Sequence, residues 1–260
     1  MRTLLLDGDT LIFEAAASSE HEVQWESWLW TLHADLDRAI EKFDASVEEI
    51  KEGLRGDRVI LALSDDARWR NAVMPEYKAH RHKTRKPVVY KPLREYCHEK
   101  YETFQRPGLE GDDVLGILAT HPSLVKGEKV VVSIDKDMKT IPGLHCNYQK
   151  CRDDGLWGVL TVTEDEADYN HMTQTLTGDT TDGYPGCPGI GPVKAEKVLA
   201  AATVGRNLFS SSLAWPLIVA AYEKAGLNEE VALQNARVAR ILRADDYDFQ
   251  AKEPVLWTPV

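Results

Sequence analysis

Three carboxylates stand close together in the segment GLEGDDVLGILATH, residues 108 to 121, at Glu110, Asp112 and Asp113. The apolar residues after them recur with the period of a helix, so the acids fall in its first turn. There they would meet free backbone N–H groups and the positive end of the helix dipole, each worth about 0.3–1 kcal/mol. Clustered carboxylates are also the ligands that divalent cations such as Mg²⁺ prefer. The segment alone is compatible with helix capping and with metal chemistry.

Aspartates also end three apolar runs that have the pattern of buried strands. The runs are TLLLDGD, RVILALSDD and EKVVVSIDKD, and the acids at their ends are Asp7, Asp65 or Asp66, Asp135 and Asp137. Because ligands gather at the carboxyl ends of strands in parallel sheets, we expect these acids to meet the Glu110 helix at one edge. Carboxylates held together raise one another's pKa values unless cations lie between them. The pattern therefore predicts a site for hard divalent ions.

Positive charge is concentrated between residues 76 and 94, in EYKAHRHKTRKPVVYKPLR. A single acid accompanies seven basic residues, which are Lys78, Arg81, Lys83, Arg85, Lys86, Lys91 and Arg94. A solvated loop would have this composition, and so would an element that tracks phosphates and stacks bases on Tyr77 and Tyr90. The whole chain of 260 residues carries a formal net charge of -11, which argues against general non-specific binding to nucleic acid.

Strands that alternate with helices predict an α/β fold with a mostly parallel sheet. A helix is expected between the first two strands, because one apolar stripe would contain Trp28, Leu32, Leu36, Ile40, Phe43 and Val47. That stripe favours packing of Trp28 in the core over stacking of Trp25, Trp28 and Trp30 on DNA. After about residue 165, helices are expected near 164–177, 192–203, 212–225 and 228–242. We therefore divide the chain into an α/β core, 1–165, with a basic segment at about 76–106, and a helical subdomain, 166–260.

The segment TGDTTDGYPGCPGIGPVKAEKVL, residues 177 to 199, adds two acids and a glycine turn. Asp179 and Asp182 are three residues apart and so lie on one side of a turn. Gly189 and Gly191 permit a tight turn with exposed backbone amides, and Pro192 suits the first position of a helix. Because N–H groups at a helix start bind phosphate readily, this turn is a candidate for backbone contacts with nucleic acid.

The four cysteines suggest no disulfide framework, and no signal peptide or long apolar run interrupts the charged sequence. We expect a reduced cytoplasm, which would be that of the host if a bacteriophage encodes the chain. No membrane partner is expected, and the chain is expected to act as a monomer.

Six motifs of the sequence, in the order in which they follow one another along the chain, resemble those of the 5′ nucleases. This family comprises flap endonucleases, the 5′ nuclease domains of bacterial DNA polymerase I and the stand-alone 5′–3′ exonucleases of bacteriophages. The resemblance covers nearly the whole chain and rests on LLLDGD, LSDDARWR, MPEYKAHR, LEGDD, SIDKD and GDTTDGYPGCPGIG. It implies a PIN-like core with a mostly parallel sheet flanked by helices, followed by a helical subdomain that carries a helix-hairpin DNA-binding motif. Residues 82–106 correspond to the arch through which relatives are thought to pass a free 5′ end.

The resemblance also implies a role for each motif residue. The implied metal ligands are Asp7, Asp65, Glu110, Asp112, Asp113, Asp135, Asp137, Asp179 and Asp182. Lys78 and Arg81 would be catalytic cations at the scissile phosphate, and Tyr77 would lie beside a base. The other implied DNA contacts are Lys83, Arg85, Lys86, Gly189, Gly191 and Lys194. The implied cofactors are two divalent cations, Mg²⁺ with Mn²⁺ as a substitute, and a K⁺ ion at the helix hairpin.

The activity implied is that of a structure-specific 5′ nuclease that hydrolyses DNA phosphodiesters with two metal ions, leaving a 5′ phosphate and a 3′ hydroxyl. Its substrates would be duplex DNA with a 5′ end, a flap or a nick, or RNA-primed DNA. A PIN-type ribonuclease is an alternative, but it would not need the PEYK element or the turn from Gly189 to Lys194. A non-catalytic binder of branched DNA is a second alternative, and it would not need a complete set of acids.

Overall fold

The computed structural model describes residues 1–204 and 208–259, without the side chains of His82, Lys83 and Val204. The predicted contact of Lys83 with DNA therefore lies outside the described residues. In chain order the strands are β1 (Arg2–Asp7), β2 (Glu20–Glu26), β3 (Leu29–Ala34), β4 (Arg58–Ala62), β5 (Thr103–Phe104), β6 (Glu128–Val132), β7 (Gly143–Cys146), β8 (Leu160–Val162), β9 (Thr203–Val204), β10 (Leu208–Phe209), β11 (Tyr247–Asp248) and β12 (Glu253–Pro254). The helices are α1 (Gly8–Ser18), α2 (Leu36–Leu54), α3 (Arg70–Val73), α4 (Tyr90–Lys100), α5 (Gly111–Thr120), α6 (Tyr148–Asp154), α7 (Glu164–Thr177), α8 (Pro192–Leu199), α9 (Ser211–Lys224) and α10 (Glu229–Ala239).

Six of these strands form the central sheet, in the order β5-β4-β1-β6-β7-β8. Neighbouring strands are parallel except β7 and β8, which are antiparallel. The three strands predicted from apolar runs, β1, β4 and β6, lie side by side at its centre, so their carboxyl ends share one edge. The expected α/β fold with a mostly parallel sheet is confirmed.

Helices cover both faces of the sheet, because successive residues of a strand point to opposite sides. Leu4 and Leu6 pack with α1, α2, α4 and α6 on one face. Leu5 packs on the other face with α5 and with residues that follow α10. Each buried leucine contributes about 1.5–3 kcal/mol relative to an exposed one, so both layers are firmly held. The strand ends that carry the acids are thereby fixed in place.

The C-terminal helices α7 to α10 pack around a core of their own that includes Met172, Trp215 and Tyr222. They correspond to the four predicted helices, although α8 and α10 end earlier, at Leu199 and Ala239. The division at residue 165 stays a prediction, but the helical subdomain does not extend to residue 260, because the chain after α10 returns to the α/β core and packs beneath α5. Gly116 of α5 permits this close approach, since a Cβ there would lie 2.2 Å from the carbonyl oxygen of Leu242.

Residues 20–34 form an antiparallel hairpin of β2 and β3, so the predicted helix is wrong in its first half. Three tryptophans of this hairpin are exposed, to 63% at Trp25, 74% at Trp28 and 53% at Trp30. The predicted core packing of Trp28 is therefore wrong. Aromatic and β-branched residues favour strands here, and Asp35 then caps α2 by accepting the N–H of Arg38. The second half of the stripe is correct, because Phe43 and Val47 are buried.

The basic segment is shorter than the predicted range of 76–106. Its second half belongs to the α/β core, because α4 buries Leu93 against α1 and α2 and β5 joins the sheet. In the exposed first half, Arg85 pairs with Glu20 through two contacts of 2.7 and 2.8 Å. The ammonium group of Lys86 lies 4.6 Å from the centre of the Tyr90 ring. The exposed part of the segment therefore lies mainly before α4, although Lys91 in the first turn of that helix is also exposed.

In residues 1–204 and 208–259, no helix combines the length and the apolar character needed to cross a membrane. All four cysteines are buried and free.

A buried histidine in α7 predicts a pH-dependent component of stability. His171 is 1% exposed, and burial, with the charge of Arg240, holds its pKa well below the usual value. Below about pH 6.5 the unfolded chain binds more protons, so this histidine lowers the free energy of unfolding by up to about 1.4 kcal/mol per pH unit. When the pH falls from about 7.5 to about 5.5, the free energy of unfolding measured with urea should decrease less in His171→Gln than in the wild type. Equal decreases in the two proteins would assign the pH dependence to other groups.

Candidate active site

The carboxyl end of β1 supplies the first acid of the site. Asp7 caps α1, accepting hydrogen bonds from the N–H and the hydroxyl of Thr10 at 3.1 and 2.8 Å. It also accepts the hydroxyl of Ser133, which follows β6, at 2.8 Å. Burial raises the pKa of Asp7. The bond to Ser133 ties together the ends of two neighbouring strands, so the acids after β6 begin beside Asp7.

The start of α5 brings in Glu110 and Asp112. Burial alone would raise the pKa of Glu110, but the charges of Arg70 and Lys78 outweigh it and lower that pKa to about 2. For Asp112 the balance is opposite, because burial and then the charge of Asp7 raise its pKa well above the usual value. Two acids of one helical turn thus differ in charge compensation, and Asp112 is the one left without enough positive charge.

The turn after β6 supplies Asp135 and Asp137. The carboxylate of Asp135 accepts the N–H of Asp137 at 2.8 Å, and the side-chain amide of Gln174 donates to Asp137 at 2.5 Å. Burial, followed by the charge of Asp135, raises the pKa of Asp137 to about 7. Between them, Lys136 extends its ammonium group to within 3.3 Å of Asp179. This turn therefore lies next to the acids of the C-terminal helices.

The turn after α7 holds Asp179 and Asp182 as the sequence predicted. The carboxylate of Asp179 accepts the N–H groups of Thr181 and Asp182 at 2.7 and 3.2 Å, which closes the turn. Asp182 then lies 3.3 Å from the ammonium group of Lys78 and 2.8 Å from the guanidinium group of Arg81. Both predicted catalytic cations therefore reach this acid.

Lys78 connects the acids of the two parts of the chain. Its φ of 53° is in the left-handed region, which residues other than glycine seldom adopt. Its N–H donates to the carbonyl oxygen of Asp182 at 2.7 Å, and its ammonium group donates to Glu110 at 2.8 Å. Burial would lower its pKa, but the charges of Glu110 and Asp182 raise it, so Lys78 is a buried cation. Seven acids interact with Lys78 or with one another, and we call them the acid cluster: Asp7, Glu110, Asp112, Asp135, Asp137, Asp179 and Asp182.

The donor chemistry of the acid cluster fits hard divalent cations, because carboxylate oxygens are the preferred ligands of Mg²⁺ and Mn²⁺. The raised pKa values of Asp7, Asp112 and Asp137 indicate that nearby lysines and arginines do not balance the negative charge. In the described part of the chain, no three acidic, histidine or cysteine side chains already have the arrangement of a single metal site. Binding of ions therefore requires the carboxylates to reorient.

The side chain of Asp65 bonds to the loop that precedes α5. Its carboxylate accepts the N–H of Gly108 at 2.8 Å, and this hydrogen bond lowers its pKa. It also accepts the side-chain amide of Gln105 at 3.4 Å. In this arrangement Asp65 caps the loop that precedes α5, and its role as a metal ligand stays a prediction. Asp66, the alternative to Asp65, is exposed.

Asp113 also has a different role from the one predicted. It is fully buried, and both of its oxygens accept N–H groups of Arg70 at 2.7 Å. The indole N–H of Trp69 and the backbone N–H of Leu242 donate to the same carboxylate at 2.9 and 3.1 Å. With its oxygens engaged by these donors, Asp113 holds α5 to its neighbours, and its prediction as a metal ligand is corrected.

Tyr77 is buried as well, with 2% of its surface exposed. Its ring packs with Met74 and Tyr184, and its hydroxyl donates to Asp182 at 3.1 Å. A side chain in this position cannot stack on a base, so the predicted base contact is wrong. Tyr77 instead supports the acid at the end of the Asp179 turn.

Three cations of the site were missed from the sequence: Arg68 and Arg70 beside Glu110, and Lys136 beside Asp179. Each had a signal in its neighbouring residues. Arg68 and Arg70 belong to ARWR, directly after the acids that end β4, and Lys136 separates Asp135 from Asp137. A basic residue adjacent to clustered acids is a natural counter-charge, but its partner is decided by tertiary structure.

The glycine turn before α8 is open to solvent on its outer side. Gly189 has a φ of 75°, which favours glycine, and a Cβ at Gly189 or Gly191 would meet no atom within 4 Å. The ammonium group of Lys194 donates to the carbonyl oxygen of Gly189 at 2.7 Å. A lysine charge therefore already satisfies one carbonyl of the turn, and the K⁺ site stays a prediction.

Comparison with known proteins adds an independent line of evidence. Residues 2–165 match the family described as 5'-3' exonuclease, N-terminal resolvase-like domain. The chain is also 35% identical to an exodeoxyribonuclease of Enterobacteria phage T3, over 98% of this chain and 92% of the relative. The chain belongs to the 5′–3′ exonuclease family. An exonuclease of Escherichia phage T7 is similarly related to this nuclease, at 34% identity over 98% of this chain and 93% of the relative.

More distant relatives extend the likeness to flap endonucleases. The flap endonuclease Xni of Shewanella halifaxensis is 27% identical over 80% of this chain and 81% of its own. A phage T5 flap endonuclease crystallised with DNA and metal ions has a TM-score of 0.62 at 13% identity, covering 92% of this chain and 89% of that one. This last likeness supports the fold, and the closer relatives establish a nuclease, which is a hydrolase.

Proposed function

We propose that this nuclease hydrolyses DNA phosphodiesters at a duplex with a 5′ end, a flap or a nick, including RNA-primed DNA, and that it acts as a monomer. Its products would carry a 5′ phosphate and a 3′ hydroxyl. The observation that carries the proposal is that Lys78 pairs both with Glu110 of the α/β core and with Asp182 of the C-terminal helices. A ribonuclease built on the α/β core alone would not need Asp179 and Asp182.

The acid cluster would hold two divalent cations, Mg²⁺ or Mn²⁺. Among nearby charges, that of Asp7 raises the pKa of Asp112 most, and that of Asp135 also raises it. The charges of Asp135, Asp179 and Asp182 raise the pKa of Asp137. We assign one ion to the first group together with Glu110 and the other to the second group. When bound, such ions supply a hydroxide nucleophile at neutral pH and stabilise the leaving oxygen.

Lys78 and Arg81 would bind the scissile phosphate. The ammonium group of Lys78 lies between Glu110 and Asp182, where it can donate to a phosphate oxygen as negative charge develops on it. Arg81 approaches Asp182 from the solvent side, with 42% of its side chain exposed. The two cations thus frame the position of the reacting phosphate.

The DNA strands would be held by contacts that position them without reading their sequence. Arg85 and Lys86 lie in the exposed part of the basic segment and would follow a single strand. The turn from Gly189 to Lys194 would bind the duplex backbone through N–H groups at the start of α8.

Replacing Gly191 by valine tests the proposed contact between the glycine turn and the duplex backbone. The backbone at Gly191 is extended, with a φ of −102°, and its surroundings are open, so Gly191→Val should fold with a near-normal melting temperature. The added side chain should keep phosphates from the N–H groups and weaken duplex binding by about tenfold, or about 1.4 kcal/mol. Fluorescence anisotropy in Ca²⁺ would measure binding to a duplex and to a short single strand. Gly158→Val is the control, because Gly158 is equally open but remote.

The proposed function is tested with labelled substrates of one sequence: a 5′ flap, a nicked duplex and a single-stranded RNA. In Mg²⁺ we expect cleavage of the DNA substrates near the junction, with 5′ phosphate and 3′ hydroxyl ends, and none in excess chelator. Cleavage of RNA alone would favour a ribonuclease. Binding of the flap without cleavage in both Mg²⁺ and Mn²⁺ would favour a non-catalytic protein. Cleavage that persists in chelator would remove the metal ions from the mechanism.

A further inference from the structure

A buried arginine lies directly behind the acid cluster. Arg70 is the first residue of α3, and only 2% of it is exposed. Its Nη1 donates to Glu110 and Asp113, both at 2.7 Å, and its Nη2 donates to Asp113 at 2.7 Å. Its Nε donates to the carbonyl oxygen of Val238 at 2.9 Å, and its Nη2 also donates to that of Arg240 at 2.7 Å. All five N–H groups of the guanidinium therefore have an acceptor.

Arg70 determines which oxygen of Glu110 faces the acid cluster. Oε2 of Glu110 accepts the bond from Arg70, while Oε1 accepts the ammonium group of Lys78 at 2.8 Å. The bidentate bonds to Asp113 fix the plane of the guanidinium, and the Trp69 ring, 4.5 Å from its Cζ, stacks near it. Rotation of the Glu110 carboxylate is thereby restricted from behind, and one oxygen stays directed toward Lys78.

The same guanidinium holds the end of α10. Helix α10 packs with α7 in the C-terminal core, and the side chain of Asn235 on α10 accepts the N–H of Gly186 at 3.0 Å. Gly186 lies between the Asp179 turn and the glycine turn before α8. A continuous series of contacts therefore runs from Glu110 through Arg70 and α10 to the segment that carries both turns.

We propose that Arg70 is a positioning residue that sets Glu110 relative to the acids and the glycine turn of the C-terminal helices. It touches no substrate and acts through Glu110 and the end of α10. The inference rests on the proposed role of the acid cluster. Lysine cannot reproduce this function, because an ammonium group has three donors and no planar fork.

The test compares Arg70→Lys with Arg240→Lys. Arg240 is a matched control, since it is also buried and bonds to Asp246 at 2.8 Å, but its side chain does not contact the acid cluster. For each variant we would measure the melting temperature in chelator, its increase on titration with Mg²⁺, flap binding in Ca²⁺ and the single-turnover cleavage rate. Three of these readouts do not depend on activity.

For Arg70→Lys we expect flap binding within about threefold of wild type and a cleavage rate lowered by about 10–100-fold, as for loss of a residue that orients metal ligands. The Mg²⁺ concentration for half of the melting shift should rise by about tenfold. Arg240→Lys should lose melting temperature but keep its rate and its Mg²⁺ response within about threefold. Wild-type cleavage in the same assay separates this inference from the proposed function, whose failure would abolish that cleavage too.

A folded Arg70→Lys variant with a normal rate and a normal Mg²⁺ response would overturn the proposal. An equal loss of rate in Arg240→Lys would also overturn it, since general loosening would then explain both. If Arg70→Lys does not fold, Asp113→Asn loosens the plane of the Arg70 guanidinium while leaving Arg70 and its bond to Glu110 in place. That variant should lose about 3–10-fold in cleavage rate and need more Mg²⁺ for half of the melting shift, and a wild-type rate with a wild-type Mg²⁺ response would overturn the proposal.

Discussion

Asp112→Asn should reduce cleavage by about 10³-fold or more, because loss of a ligand removes several kcal/mol of charge stabilisation by a metal ion. The same variant should melt at a higher temperature than the wild type in chelator. Burial and the charge of Asp7 disfavour the ionised form of Asp112, so a neutral amide relieves repulsion in the metal-free protein. A relief of about 1 kcal/mol corresponds to about 2–4 °C in a chain of this size.

The matched control is Asp113→Asn, one residue further along the same helical turn. Asp113 bonds to Arg70, Trp69 and Leu242, so this variant should melt lower and lose at most about tenfold in cleavage rate, through looser placement of Arg70. Scanning calorimetry in chelator and in Mg²⁺, together with single-turnover cleavage, gives both quantities for both variants. If Asp113→Asn loses activity and Asp112→Asn does not, the assignment of the two acids is reversed.

The fold and the general location of the site were predictable because they depend on short-range patterns. β1, β4 and β6 are apolar runs that end in aspartates, and parallel pairing then places their carboxyl ends at one edge. The turn that holds Asp179 and Asp182 is also local, since its hydrogen bonds span at most three residues. For such features the spacing of residue types is sufficient.

The individual roles of the acids were not predictable, because distant partners decide them. Asp112 and Asp113 are neighbours in the sequence, yet the N–H of Leu242, 129 residues away, bonds to Asp113 and not to Asp112. Asp65 ends a strand as Asp7 does, but the loop at Gly108 folds back onto its carboxylate. The spacing of the acids predicted a cluster, and only the tertiary contacts show which of the carboxylates are bonded to other parts of the protein.

The hairpin at residues 20–34 was predicted wrongly for a different reason. Apolar residues at Trp28, Leu32 and Leu36 happen to match the helical period, although the first two lie before the cap of α2 at Asp35. When the apolar period is followed across the helix cap at Asp35, strand β3 and helix α2 are mistaken for a single helix. Of the three exposed tryptophans on this hairpin, Trp28 is the one for which the sequence pattern predicted burial.

Lys78→Ala should lower the single-turnover cleavage rate by about 10²–10³-fold, or about 2.7–4 kcal/mol, by analogy with the loss of one preorganised donor to a developing oxyanion. Lys78 is buried between Glu110 and Asp182, so its ammonium group is already placed and costs little reorganisation when charge develops. Lys126→Ala is the control, since a surface lysine should change stability by no more than about 0.5 kcal/mol and leave cleavage unchanged.

Stability measurements distinguish this role from simple docking of DNA. Without Lys78, Glu110 and Asp182 lose a shared cation, so Lys78→Ala should melt lower in chelator and gain more from Mg²⁺ than the wild type. Binding of the flap in Ca²⁺ should weaken only modestly, because loss of one phosphate contact changes the slope of affinity against salt by about one unit. A variant that binds weakly but cleaves at the wild-type rate once saturated would make Lys78 a docking residue. The catalytic cation would then be Arg81, which reaches the same acid at 2.8 Å.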